Sequence, residues 1–229
     1  SGAEGASKGE GLASLIYSTN KVRDSGRRSV MGYQTGHQAK LMGAYMSDLL
    51  KIDKSAPELL SSGQFDQHLY RALYALRKGE KPEGPEFIPE IAKVLFKHQE
   101  YWRSLKNENG AWIGSLEDFI INRSHNPTLI RNAGREAWGE EISKAMDWSR
   151  TMIDMPDANT ESFLDAGFKG LAHGHHLRTG GTSEGFSGPS NLAKKLSQER
   201  VFHFKGPDEE YAYAQKFASG GLGYQMFMA

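Results

Sequence analysis

Three histidines within four positions, His173, His175 and His176 in the stretch GLAHGHHLRTGG, are the residues best spaced to hold a metal ion. On a helix His173 and His176 share a face, and a third ligand would have to come from Asp165, His203 or His125. The spacing departs from known zinc patterns. A zinc protease needs histidines four apart with a glutamate between them as base. Here the pair is three apart and encloses Gly174 and His175. Structural zinc takes four well-placed ligands. The stretch reads better as the end of a helix, where cationic side chains meet the last carbonyls, opening at Gly180 and Gly181 into a loop.

Arg200 and Lys205 in ERVFHFK are the candidate phosphate contacts, with Phe202 or Phe204 stacking on bases. Period-two alternation gives a plainer account, in which Phe202 and Phe204 face a core while Val201, His203 and Lys205 face the other way. His125 in RSHNP is either a general base or DNA contact, or a turn histidine bonded to backbone with Asn126 and Pro127 setting the turn. The pattern favours the turn. Glu140–Glu141 and Glu209–Glu210 are adjacent, so each pair diverges on a helix and reads as solvated surface. No cysteine is present, which removes thiol nucleophiles, thiolate ligands and disulfides. RTGGTSEG lacks the order of a phosphate loop. No catalytic residue is assigned and no cofactor is expected.

Composition narrows the classes further. The 229 residues are 38% hydrophobic and 24% charged, as in a polar globular protein. Lysine plus arginine equals aspartate plus glutamate at 28 each, so no global field draws the chain onto DNA or a membrane. No apolar run is long enough to span a bilayer. The polar start, SGAEGASKGEG, lacks a signal-peptide core, and the apolar end, GGLGYQMFMA, reads as a cut through a longer polypeptide.

The elements that would position these residues are mostly helices. SVMGYQTGHQAKLMGAYMSDLLKI places Met31, Gln34, Gln38, Leu41, Met42, Tyr45, Met46 and Leu49 at helical spacing. Its glycines at 32, 36 and 43 each weaken an isolated helix by about 1 kcal/mol, which suggests close packing on a neighbour. Phe65, Leu69, Leu73 and Leu76 form the stripe of a second helix that stops at Gly79. After a proline-rich linker, Pro89 opens a third helix reaching about Asn107. Others are expected from Pro127 to Met146, from about Thr160, and from Pro207 to Phe217. Tyr101, Trp102, Trp138 and Trp148 are read as core or interface anchors. The expected fold is mainly α, a multi-helix bundle with an irregular, loop-rich C-terminal quarter and at most a short β-element at VFHF. The domain expectation is a flexible lead over 1–10, a helical domain over 11–177, a Gly/Ser-rich loop over 178–191 and a helical segment over 192–229 that continues in a parent chain.

Three segments, in order, carry a family resemblance. NENGAWIGSLEDFIINRSHNPTLIRNAGREAW resembles a "GADIGxLxDYxxPQSHD … VRxAGxxAW" stretch through Gly110, Gly114, Leu116, Asp118, Ser124, His125, Arg131, Ala133, Gly134, Ala137 and Trp138. The stretch from Leu171 to Gly181 takes the place of the next landmark. LSQERVFHFKGPDEEYAYAQKFASGG resembles "RxLHFKDADAWxxYNxxFGxG" through Arg200, His203, Phe204, Lys205, Tyr213, Phe217 and Gly220. Asn126 and Gly206 stand where that pattern tends to have aspartate.

These segments are similar to the large polyvalent proteins of phages and mobile elements, a group that includes internal virion and antirestriction-like proteins. The resemblance covers roughly residues 60–229. It implies a non-catalytic structural or interaction domain of a large virion-associated protein, packaged in the head and ejected with the genome into the host cytoplasm. Partners would be other virion proteins or other domains of the same polypeptide, and phage DNA. The alternatives are a DNA-binding or DNA-protecting module using Arg200 and Lys205, and a metal-dependent enzyme using His173, His175 and His176.

Overall fold

Capping residues and glycines set several of the helix boundaries in the computed structural model, which describes residues 30–108, 125–152, 159–172 and 202–223. The chain divides into two compact units, 1–48 and 49–229. The division runs inside the first described helix, α1 (Val30–Ile52). Leu41, Tyr45 and Leu49, spaced one turn apart, are its buried residues, as the periodicity expects. Among the described residues, Gly36 and Gly43 do not mediate the expected close packing. Both are exposed, and nothing lies within 4 Å of where a Cβ would stand.

The second unit opens with α2 (Ala56–Ser62), a short helix the apolar periodicity does not reveal. Asp53 Oδ1 accepts from the Ser55 amide at 2.8 Å and from the Ser55 hydroxyl at 2.6 Å, fixing the entry. Gly63 closes the helix in the left-handed conformation, φ 71°. α3 (Asp66–Arg77) follows. Leu69 and Leu73 of the expected stripe are buried, while Phe65 and Leu76 are half-buried. Tyr70 and Tyr74 are buried as well, because α3 packs on two neighbours, not one.

One neighbour is α4 (Ile88–Glu108), with Ile91, Leu95 and His98 on its buried stripe. The proline-rich linker runs back along α3. A Cβ at Gly84 would come within 3.9 Å of the His68 side chain and 3.2 Å of Ile88. At the far end, Arg77 donates to Gln99 at 2.9 Å and to Glu100, and lies 4.7 Å over the Phe96 ring. From 68 to 77 and from 88 to 99 the two axes advance about 14 and about 17 Å, so α3 and α4 run in the same direction. Ten linker residues easily cover that return.

α5 (Pro127–Ala145) starts where the sequence places it. Asn126 is the N-cap, its Oδ1 accepting from the amides of Thr128 and Leu129 at 3.0 and 3.2 Å. Gly134, at φ 80° and ψ 165°, breaks the helix in a region open essentially to glycine alone. The break separates two arginines that hold α7 (Thr160–Ala172) at different points. Arg131 donates to the last carbonyl of α7, at Ala172. Arg135 binds Asp165 at 2.6 Å and Glu161 at 2.5 Å near its start. Asn159 caps α7 by accepting from the Ser162 amide at 2.8 Å. The four-residue α6 (Trp148–Thr151) is capped in the same way by Asp147.

α8 (Pro207–Phe217) packs against both α3 and α5 and joins the α3–α4 pair to the α5–α7 pair. The fold is mainly helical. The expected strand at VFHF is reduced to one antiparallel bridge, Met146 with Phe204; a second joins His125 to Ala218. Among the described residues, no helix is long and apolar enough to cross a membrane.

Candidate functional site

Tyr213 brings together His125, Trp138, Phe204 and Phe217, four of the residues that the sequence singles out. It sits on the buried stripe of α8 with Glu210, Ala214 and Phe217. Trp138, fully buried on α5, donates its indole N–H to the Tyr213 hydroxyl at 3.1 Å. His125 brings Nδ1 to the same hydroxyl at 3.1 Å. An indole N–H can only donate, so the Tyr213 oxygen accepts from Trp138. Its own proton can then go to His125 Nδ1. His125 Nδ1 thus meets a side chain 88 positions away, a contact that the turn reading of RSHNP does not include.

Rings close the site. Phe202 lies edge-on to His125 at 5.8 Å, Phe204 lies 5.4 Å from Tyr213, and Phe217 lies 5.3 Å from it. Such offset and edge-on pairs each stabilise by about 0.5–1.5 kcal/mol beyond burial. Main-chain bonds fix the same segments. Asn126 N donates to Phe217 O at 2.8 Å, Lys205 N to Ala145 O at 2.9 Å, and Asp147 N to His203 O at 2.8 Å.

Phe202 and Phe204 are buried, as the core reading of VFHF requires. His203 is buried too, at 7% exposure, so it does not face outward as simple alternation implies. The reason is that 203–205 runs against 145–147 inside the fold, with neighbours on both sides; the His203 amide reaches Thr151 Oγ1 at 3.3 Å. Lys205 is exposed, and its Nζ donates to Lys144 O at 2.8 Å, capping the C-terminal end of α5. Nearby cations face carboxylates: Lys144 lies 2.8 Å from Glu140, and Lys216 binds Glu141. The Lys216 hydrogen bond holds the Glu141 carboxyl below its usual range. Arg200, His173, His175 and His176 lie outside the described residues. Among those described, no group of three histidines, cysteines or carboxylates is placed to hold a metal.

Glu210 is a second correction. Expected on the surface, it is fully buried and accepts from the Tyr74 hydroxyl at 2.5 Å. Neighbouring helical positions diverge, so Glu209 stays half-buried near Gly206 while Glu210 points at α3. Beside it Asp208 takes a two-pronged bond from Arg71, at 2.7 and 3.1 Å, and one from Gln67 at 3.0 Å. These bonds draw the Asp208 carboxyl below its usual range, Arg71 contributing most.

The arrangement binds its own chain. The Tyr213 hydroxyl is held between Trp138 and His125 of the same chain. Replacing Tyr213 with phenylalanine strands the buried Trp138 N–H, which is expected to cost about 1–3 kcal/mol. Urea unfolding would show it, and an unchanged midpoint would remove Tyr213 from its central place. Comparison with known protein families, with curated proteins and with solved structures finds no match for this chain.

Proposed function

We propose that this chain is a non-catalytic structural and interaction domain of a large phage virion-associated protein, packaged in the head and ejected with the genome. One observation carries the reading. Five of the residues by which two separate segments resemble the polyvalent phage proteins pack those segments together, while Arg131 reaches α7 and Ala133 and Ala137 are exposed. His125 and Trp138 come from the first segment, and Phe204, Tyr213 and Phe217 from the second. A pattern of that kind preserves a scaffold, and the chemistry of such long proteins would reside in their other domains. Lys205, occupied at the end of α5, lends little to a phosphate-binding role.

The test is mass spectrometry of purified, nuclease-treated particles from a phage whose genome encodes this sequence. The expected result is this chain, within its parent polypeptide, at a fixed copy number per particle and lost from particles after DNA ejection. Its absence from intact particles overturns the proposal. Duplex binding whose affinity falls steeply with salt would favour a DNA-protecting module instead.

A further inference from the structure

Asp66 opens α3, and it is only 2% exposed. Its Oδ2 accepts from the Leu222 amide at 2.9 Å. Glycine backbone closes around the carboxyl: a Cβ at Gly221 would stand 2.9 Å from Asp66 Oδ2, and one at Gly63 3.6 Å. No cation pairs with Asp66 among the described residues. The charged groups of the adjoining elements are directed elsewhere. On α3, Arg71 is taken by Asp208, and His68 acts on Asp208 as well. On α8, Glu210 meets Tyr74. On α2, Glu58 is exposed. The segment 220–223 carries no titratable side chain.

A carboxylate with one N–H partner and no cation loses more on leaving water than that single bond returns. Burial accordingly pushes the Asp66 carboxyl above its usual range, and the Leu222 N–H offsets this only in part. Moving the 220–223 segment away would readmit water to the carboxylate, so ionisation and opening are linked. We propose that Asp66 and the segment Gly220–Gly223 form a proton-operated latch, closed over the α2–α3 turn when the carboxyl is neutral and loosened when it ionises.

The direction follows from linkage. The folded-state value lies above the unfolded one, so the contribution of Asp66 to stability is fully present below the ordinary carboxylate range. It is lost as pH rises through the raised value. Asp53, Asp147, Asp208, Glu100 and Glu141 are shifted down and respond in the opposite sense. A variant at Asp66 alone therefore isolates the latch.

Wild-type protein and Asp66→Asn are unfolded in urea at steps from about pH 4 to about pH 7. Asparagine keeps an acceptor oxygen for Leu222 and cannot ionise. The wild-type midpoint should fall relative to the variant as pH rises; a constant difference overturns the latch. In the wild type alone, nuclear magnetic resonance follows the Leu222 amide. Its resonance should move with one midpoint above the usual aspartate range, and its exchange, corrected for the intrinsic pH effect, should quicken on the alkaline side. A flat resonance, or a midpoint at or below the usual range, overturns the proposal even if the variant does not fold.

Discussion

Replacing Trp138 with alanine is expected to lower the unfolding free energy by about 3–5 kcal/mol. The side chain is fully buried in a cluster with Ile142, Phe163, Phe202 and Tyr213. It rests against Gly167 of α7, where a Cβ would meet its ring at 3.1 Å. It also carries the hydrogen bond that orients Tyr213. Alanine would leave a cavity where α5, α7 and α8 meet, and those helices cannot collapse into it without breaking the bonds at 126 and 205. Whole-domain stability is typically about 5–15 kcal/mol, so the loss is a large share. Urea unfolding followed by circular dichroism measures it, and a cost below about 1 kcal/mol would mean that the helices are held mainly elsewhere.

The second large effect is expected from Gly223→Ala. A Cβ there would collide with the Leu60 carbonyl, which is main chain and has no rotamer to turn away. Relief requires moving the 220–223 segment off α2, which also draws Leu222 away from Asp66. Such overpacking costs about 1–3 kcal/mol, occasionally more, and the upper end is expected. Gly221→Ala is the informative partner. Its new Cβ would meet the Asp66 carboxylate tip, a side-chain atom, at 2.9 Å on an exposed residue. A smaller loss is expected there. If Gly223→Ala melts like the wild type, the segment is not docked on α2.

The helices were legible in the sequence wherever apolar spacing and a stop signal coincided. Asn126–Pro127 gave the start of α5, and the Pro207–Phe217 reading matched α8 from end to end. α2 was not visible, because seven residues hold too few apolar positions to establish a period. The site was legible as a list of residues and not as an arrangement. Nothing local in RSHNP or REAW says that His125 and Trp138 share one hydroxyl. Glu210 was misread because a buried glutamate beside a half-buried one looks like any charged pair. Its place on a stripe with Tyr213, Ala214 and Phe217 was the available signal. The break at Gly134 leaves no mark on hydrophobic periodicity, since Ile130, Trp138 and Ile142 stay in phase across it.

The central position of α8 has a consequence for how the chain is made. Its contacts reach back 75 positions to Trp138 and 136 to Tyr74, and the segment after it reaches back 156 to Asp66. At translation speeds of about 5–20 residues per second, Trp138 waits on the order of 4–15 s for Tyr213 to be synthesised. The α3–α4 and α5–α7 pairs can form during that interval, each with one apolar face still open. Ribosome-bound chains ending before residue 207 are therefore the aggregation-prone species of this protein. Its demand for chaperones falls on the nascent chain, before α8 emerges to close both pairs.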